Sequence, residues 1–152
     1  MKRPILTMPA ILLLLALLVF APSILMGYQY ERIARAALEH YEVGSHPVAA
    51  INFELAARRL FWRPELWNEV GDVYAMDHLW GGMARAYEEA RARNALTACN
   101  WNLLGAYYLY ETDNPDLALR IWEEGLQQYP DDFLLAHMIS KEYQKRGDYT
   151  LE

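Results

Sequence analysis

Two octets, WNEVGDVY at residues 67–74 and WNLLGAYY at residues 101–108, are nearly identical and begin 34 positions apart. Each has a tryptophan, an aliphatic residue, a glycine and a tyrosine at positions i, i+3, i+4 and i+7. That spacing brings the four side chains to one face of an α-helix. An octet repeated at this period predicts a chain built from recurring helical units.

The period continues on both sides of the two octets. A weaker copy precedes them and a fourth copy follows them, with the residues Ile33, Ala36, Ala37, His40 and then Ala136, Ile139, Ser140, Tyr143. A second apolar triplet also recurs, as Ala49, Phe53, Ala56, then Met83, Tyr87, Ala90, then Ala118, Trp122, Gly125. Helix-breaking segments separate these stretches: GSHP at 44–47, WGG at 80–82, TDNP at 112–115, and Pro130. The pattern predicts pairs of helices joined by short turns.

Glycine recurs at the same column of the repeated octet, as Gly71 and Gly105. Glycine inside a helix costs about 0.5–1 kcal/mol relative to alanine. Its recurrence therefore predicts close helix packing. We expect a large side chain of the partner helix to fill the notch at each glycine.

The pattern resembles that of the tetratricopeptide repeat (TPR) family, W-x2-L-G-x2-Y…A-x3-F…A…P over 34 residues. The copy at 98–131 carries Trp101, Leu104, Gly105, Tyr108, Ala118, Trp122, Gly125 and Pro130. The copy at 64–97 has Met83 and Ala95 where the family has alanine and proline. The resemblance implies an all-α fold with a right-handed α-solenoid of about three and a half helix-turn-helix repeats, at about 30–63, 64–97, 98–132 and, in part, 133–152. The alternative is an ordinary helical bundle.

An uncharged stretch at residues 4–30 contains the aliphatic run ILLLLALLVFA. Residues 5–26, rising about 1.5 Å each as a helix, are long enough to span a bilayer. This predicts a single transmembrane helix in an N-terminal anchor at 1–29, followed by the repeat domain at 30–152. The alternative is a signal peptide cleaved after VFA at 19–21. Pro22 directly after that site, and the apolar residues beyond it, favour a retained anchor.

The charges that flank the predicted span bear on its orientation. Lys2 and Arg3 precede the span closely, and Arg32 and Arg35 follow it at a greater distance. The positive-inside rule then favours a cytoplasmic N-terminus and an extracytoplasmic repeat domain, either periplasmic or extracellular.

The repeat domain is acidic, with 12 basic and 20 acidic residues in 31–152 and a net charge of −8. Such a domain repels nucleic-acid phosphates and anionic lipid, so we expect no nucleic-acid partner. The lone Cys99 cannot form an internal disulfide, and the four histidines lack metal-ligand spacing, so no metal site is expected. The sequence contains no phosphate loop, GxSxG, HExxH or CxxC motif. We therefore expect no catalytic residues, no cofactor and no enzyme activity.

In the TPR family, the first helix of each repeat lines a concave groove. The resemblance carries this role to Asn68, Asp72, Met76, then Asn102, Ala106, Tyr110, then His137, Lys141, Lys145. Asn68 and Asn102 occupy equivalent columns and are suited to hold an extended peptide or a partner helix. Simple solvation of these polar residues is the alternative. The first two repeats offer no lysine or arginine in these columns, which disfavours a clamp for a C-terminal carboxylate.

Two apolar clusters remain beyond the repeat pattern. The last predicted helix carries Phe133, Leu134, Leu135, Met138, Ile139 and Tyr143, more than the third repeat can cover. An exposed apolar end usually marks a contact site. The second cluster, residues 60–62 with the sequence LFW, either packs at a repeat junction or faces the bilayer surface.

These features predict a membrane-anchored protein-interaction module that acts as a scaffold or assembly factor for a membrane or secreted complex. A permanent accessory subunit of a larger membrane complex is the alternative. An enzyme-associated regulator, with catalysis in another chain, is a third hypothesis.

Overall fold

A computed structural model of the chain describes residues 8–39 and 45–147. Within these residues there are seven α-helices and no β-strand, which confirms the all-α prediction. The helices are α1 Met8–Glu39, α2 Ser45–Arg59, α3 Leu66–Met76, α4 Trp80–Arg91, α5 Ala98–Tyr110, α6 Pro115–Gln128 and α7 Phe133–Arg146. The chain divides into two compact units, Met1–Arg63 and Pro64–Glu152.

Some of the predicted features lie outside the described residues. They are residues 5–7 of the expected span, residues 40–44 of the first repeat, and residues 148–152 of the fourth repeat.

Unit 1 is a hairpin in which α1 packs against α2. The residues of α1 that are buried in it are Gly27 and Ala34. The predicted apolar triplet of α2, Ala49, Phe53 and Ala56, is fully buried. The expected boundary between anchor and repeat domain, at residues 29 and 30, falls inside α1. The apolar stretch and the first helix of the expected first repeat therefore form one continuous helix.

By length and composition, α1 is able to cross a membrane, although a signal sequence has the same two properties. Only 6% of the residues in its most apolar stretch are buried. Its aliphatic side chains therefore face outward from unit 1. Pro22 lies inside the helix without interrupting it.

Unit 2 consists of two helical hairpins and a final helix. Helix α3 packs on α4, and α5 packs on α6. The hairpins join through α4 and α5, and α7 packs on both α5 and α6. The core includes the two tryptophans Trp101 and Trp122, which are almost fully buried.

The two recurring glycines occupy the close helix contacts that were predicted for them. A Cβ atom at Gly71 would overlap the ring of Tyr87, and one at Gly105 would overlap the indole of Trp122. Tyr87 and Trp122 belong to the partner helices α4 and α6. The prediction that a large side chain fills each notch is confirmed.

Side-chain caps mark the starts of the last three helices. Thr97, Asn114 and Asp132 accept hydrogen bonds from the backbone N–H groups of Asn100, Leu117 and Leu135, at 3.3, 3.1 and 2.9 Å. These bonds satisfy donors that have no partner within the first turn of a helix.

Two of the predicted helix breakers extend into the helix that follows them. Residues 45–47 of GSHP form the first turn of α2, and residues 80–82 form the first turn of α4. Proline is tolerated in a first turn because that turn needs no N–H partner. Gly82 lies against the ring of Tyr74, where an added Cβ would come within 2.8 Å of Cδ1. The glycine therefore serves packing between α3 and α4 and does not end a helix.

Candidate functional site

Asn68, expected in the groove, lies inside the fold and is 6% exposed. Its Nδ2 donates to the backbone oxygen of Ala95 at 2.7 Å, and its Oδ1 accepts from Asn100 Nδ2 at 3.1 Å. The amide thus joins α3 to the segment before α5 and to α5 itself. We assign Asn68 a structural role and do not include it in the candidate binding surface.

Asp72 belongs to the same polar network. It is half-buried, and it accepts a 2.7 Å hydrogen bond from the hydroxyl of Tyr87. Burial raises the pKa of the Asp72 carboxyl, and hydrogen bonds from Tyr87 and Asn100 act in the opposite direction. The same Tyr87 ring fills the notch at Gly71, so this residue connects the apolar and polar packing of α3 and α4.

Asn102 occupies the column equivalent to Asn68 but has a different environment. It is half-buried, and its backbone oxygen accepts from Trp122 Nε1 at 3.2 Å. Its side-chain Oδ1 is buried and has no hydrogen-bond partner among the described residues. The two asparagines therefore do not form the matched pair that their spacing suggested.

Three other predicted groove residues are exposed, two of them at helix ends. Met76 is 57% exposed in the last turn of α3, and Tyr110 is 66% exposed at the end of α5. In the first half of α7, exposed His137 stacks on the ring of Phe133, with ring centroids 6.0 Å apart.

The structure brings Tyr110, Lys141 and Lys145 together between α5 and α7. They line a cavity of about 310 Å³ whose other walls are Leu109, Trp122, Met138 and Glu142. The Glu142 carboxylate is engaged with Arg146 Nε at 3.1 Å. Neither lysine has an acidic partner among the described residues. This basic hollow therefore presents two ammonium groups beside an apolar floor.

A second, apolar hollow of about 170 Å³ lies between the start of α4 and α5. Its lining residues are Trp80, Met83, Leu103, Ala106, Tyr107, Tyr110 and Glu111. Tyr110 lines both hollows, so they adjoin on α5. We name the combined area the α5 surface.

Of the residues predicted for the groove, the α5 surface contains Ala106, Tyr110, Lys141 and Lys145. The prediction missed Trp80, because WGG was interpreted as a break between helices. It also missed Leu103 and Tyr107, which directly follow the predicted groove residues Asn102 and Ala106 in the octet WNLLGAYY. Their exposure depends on how α4 begins, which the repeat pattern does not specify.

A hydrogen bond between helices recurs along unit 2. Tyr108 donates to Glu88 Oε1 at 2.9 Å, and Tyr143 donates to Glu123 Oε1 at 2.8 Å. Each tyrosine bonds a glutamate 20 residues earlier, and the two bonds are 35 residues apart. Burial and the neighbouring Glu88 raise the pKa of Tyr108 to about 12. The tyrosine is therefore a neutral donor at physiological pH.

Among the described residues, no group of three or more histidine, cysteine or acidic side chains is placed to hold a metal ion. No model of a known protein family matches the chain, and no curated protein matches it. The geometry of the two units therefore carries the functional argument.

Proposed function

We propose that this chain is a TPR-type protein-interaction module anchored in a membrane by α1, with the α5 surface as its binding site. The observation that carries the proposal is the pair of adjoining hollows on α5. One hollow is apolar, the other is basic, and an exposed tyrosine lies between them. The module acts as a scaffold or assembly factor for a membrane or secreted complex, and it has no catalytic function.

Recurring tertiary contacts support the TPR assignment. The overlap of Gly71 with Tyr87 recurs as that of Gly105 with Trp122. The bond from Tyr108 to Glu88 recurs 35 residues later from Tyr143. Repeat proteins stack equivalent units through equivalent neighbour contacts. The proposed arrangement is accordingly a right-handed α-solenoid of helix pairs.

The length and apolar composition of α1 support the anchor. The flanking charges, with Lys2 and Arg3 closer to the span than Arg32 and Arg35, favour an extracytoplasmic repeat domain. The aliphatic side chains of α1 are exposed in the structure. Because large exposed apolar surfaces usually mark contact sites, we propose that lipid covers them.

The chemistry of the α5 surface defines the partner. An apolar side chain fits the hollow of Trp80, Met83 and Tyr107, and a neighbouring carboxylate fits Lys141 and Lys145. These lysines are a local basic site in a domain of net charge −8, so they select an acidic group by position. A protein segment with an aromatic or aliphatic residue followed by an acidic one satisfies both hollows.

Photocrosslinking from position 110 tests this proposal in the native membrane. The full-length chain carries a photoreactive phenylalanine analogue at position 110 or, as a control, at the exposed position 120 on α6. We expect crosslinks to a defined partner from position 110 alone. The charge reversals Lys141→Glu and Lys145→Glu should abolish these crosslinks, whereas Arg120→Glu should retain them. Identical crosslinking in all variants would refute the assignment of the surface.

A permanent accessory subunit is the second candidate, and the start of α7 favours it. Phe133 is 81% exposed and Leu134 is 45% exposed, whereas Leu135 is fully buried. Of the six apolar residues expected to be too many for the third repeat to cover, only Phe133 and Leu134 are exposed. Purification in mild detergent separates the candidates. A permanent subunit keeps partners at integer stoichiometry through salt washes, whereas a scaffold loses substoichiometric partners because its lysine contacts are screened.

A further inference from the structure

Residues 60–63, directly after α2, present two aromatic side chains to the outside of unit 1. Leu60 is fully buried, whereas Phe61 is 74% exposed and Trp62 is 44% exposed. The two rings contact each other edge to face, with centroids 5.1 Å apart. We name residues 60–63 the aromatic turn.

Three contacts hold the aromatic turn and the adjoining Arg59 beside one short stretch of α1. A Cβ atom at Gly27 would lie 2.8 Å from Leu60 Cγ, so the leucine side chain rests directly on that glycine. Arg59 lies over the ring of Tyr30, 5.0 Å from its centroid. Arg63 Nη1 binds Glu31 Oε2 at 2.5 Å. The turn is therefore held beside residues 27–31 of α1.

That level of α1 coincides with the edge of the proposed membrane span. The helix rises about 28 Å from Met8 to Gly27, close to the hydrocarbon thickness of about 30 Å. Residues 4–30 carry no charge, and Glu31 is the first charged residue that follows. A bilayer around α1 thus reaches its headgroup region at residues 27–31, where the aromatic turn is held.

The side chains at this level suit a headgroup region. Tryptophan and tyrosine concentrate there because their rings are amphipathic. Tyr28 on α1 is 46% exposed, next to this level. The exposed Arg32 and the half-buried Arg59 accompany the turn and can reach lipid phosphates, whereas Arg58 and Arg63 are engaged by Glu54 and Glu31. This basic end of unit 1 contrasts with the net charge of −8 over residues 31–152.

We infer that Phe61 and Trp62 insert into the headgroup boundary of the bilayer that α1 crosses and give unit 1 a second membrane contact. The inference rests on the proposed span of α1. It adds a surface that the span alone does not require. The partner is the phospholipid interface itself, which offers the headgroup-proximal parts of the acyl chains to the rings and phosphates to the arginines.

Spin-label depth measurements on the full-length chain test the inference. Cys99→Ala removes the native thiol. Single cysteines then replace Phe61, Leu18 in the span, Ile51 on α2, or Arg120 on α6, and each carries a nitroxide. The protein is reconstituted in phosphatidylcholine–phosphatidylglycerol vesicles. Power-saturation spectroscopy compares the collisions of each label with oxygen and with a water-soluble nickel chelate.

We expect the label at position 18 to favour oxygen strongly and the label at position 120 to favour nickel. The label at position 61 should collide with nickel severalfold less than the label at position 120. Position 51 is the matched control, because Ile51 is a 56% exposed apolar residue of the same unit. It lies about 13 Å along the helix from Leu60 and should remain aqueous.

The failures of the two proposals are distinguishable. An aqueous label at position 18 would remove the span and the inference with it. A label in hydrocarbon at position 18 with an aqueous label at position 61 would overturn the second contact and leave the anchor intact. A parallel label at position 62, with Phe61 retained, must agree with position 61, and unchanged helical circular dichroism must accompany both.

Discussion

At the scale of single residues, Gly105 shows how one missing side chain sets the distance between two helices. An added methyl group would overlap the Trp122 indole, which is fully buried and cannot move away cheaply. We expect Gly105→Ala to lower the free energy of unfolding by about 1–3 kcal/mol, as overpacking does. Chemical denaturation of the full chain in mild detergent, followed by circular dichroism, measures this loss.

Gly81→Ala is the matched control for that substitution. Gly81 is also helical, but a Cβ atom there meets nothing within 4 Å. Alanine should therefore leave stability unchanged or raise it by up to about 1 kcal/mol through helix propensity. Equal losses of unfolding free energy in the two variants would contradict the proposed role of Gly105 in close helix packing.

Asp72 is expected to make the stability of unit 2 dependent on pH. Because burial raises the pKa of its carboxyl, folding favours the protonated form. The stabilisation from this group is complete below its unfolded pKa and is lost as the pH rises through the folded pKa. Asp72→Asn removes this titration. The stability of the variant relative to the parent should therefore increase from acidic to neutral pH and then level off.

Denaturation of both proteins across that pH range measures the difference, and the subtraction removes the contributions of the other carboxyl groups. A difference that stays constant, or that falls as the pH rises, would contradict the assigned direction.

The residue scale also shows what a repeat pattern can predict. The pattern identified Gly71 and Gly105 because a packing requirement recurs at each unit. It misjudged Asn68, whose role depends on Asn100 and on the backbone of Ala95, both outside the matched columns. A hydrogen bond to such a partner exists only after the helices have assembled.

At the scale of helices, side-chain caps determine where unit 2 turns. Asp132 accepts the Leu135 N–H bond at the start of α7. We expect Asp132→Ala to cost about 1 kcal/mol of stability, typical of a lost N-cap. The adjacent Asp131→Ala, which removes a carboxylate that forms no such bond, should cost much less. Thermal unfolding of both variants makes the comparison, and equal effects would assign the loss to net charge.

The predicted breaker TDNP at 112–115 coincides with the start of α6, where Asn114 caps the helix and Pro115 is its first residue. The helix boundary was predicted poorly at residues 80–82, because a glycine pair resembles a break unless its packing is known. The continuity of α1 was also not anticipated. Residues 27–39 contain no strong breaker other than Gly27, whose position is explained by contact with Leu60.

At the scale of the whole molecule, retention of the apolar stretch is the decisive property. We expect the chain extracted from membranes to retain the mass of residues 1–21, which precede the alternative cleavage site. Intact-protein mass spectrometry after alkaline washing of the membranes measures it. A species that begins at Pro22 would show instead that the stretch is a cleaved signal.

The α5 surface could be predicted only in part. The repeat columns included Tyr110, Lys141 and Lys145, and these three residues line one hollow. The columns could not show that Trp80 and Met83 close a hollow beside the same tyrosine. That arrangement depends on how α4 begins, where Gly82 lies in close contact with the Tyr74 ring.

Because α1 is continuous, the number of residues in it determines how far the α1–α2 hairpin is rotated around the helix axis and shifted along it. Each helical residue turns the chain by about 100° and advances it by 1.5 Å. One alanine inserted between Met26 and Gly27 would swing the α1–α2 hairpin by about 100° around the helix axis, relative to the span. Four inserted residues would nearly restore its heading but raise it by about 6 Å. For a chain anchored as proposed, the orientation of the first hairpin around the α1 axis and its height above the bilayer are therefore both set by the number of residues in α1.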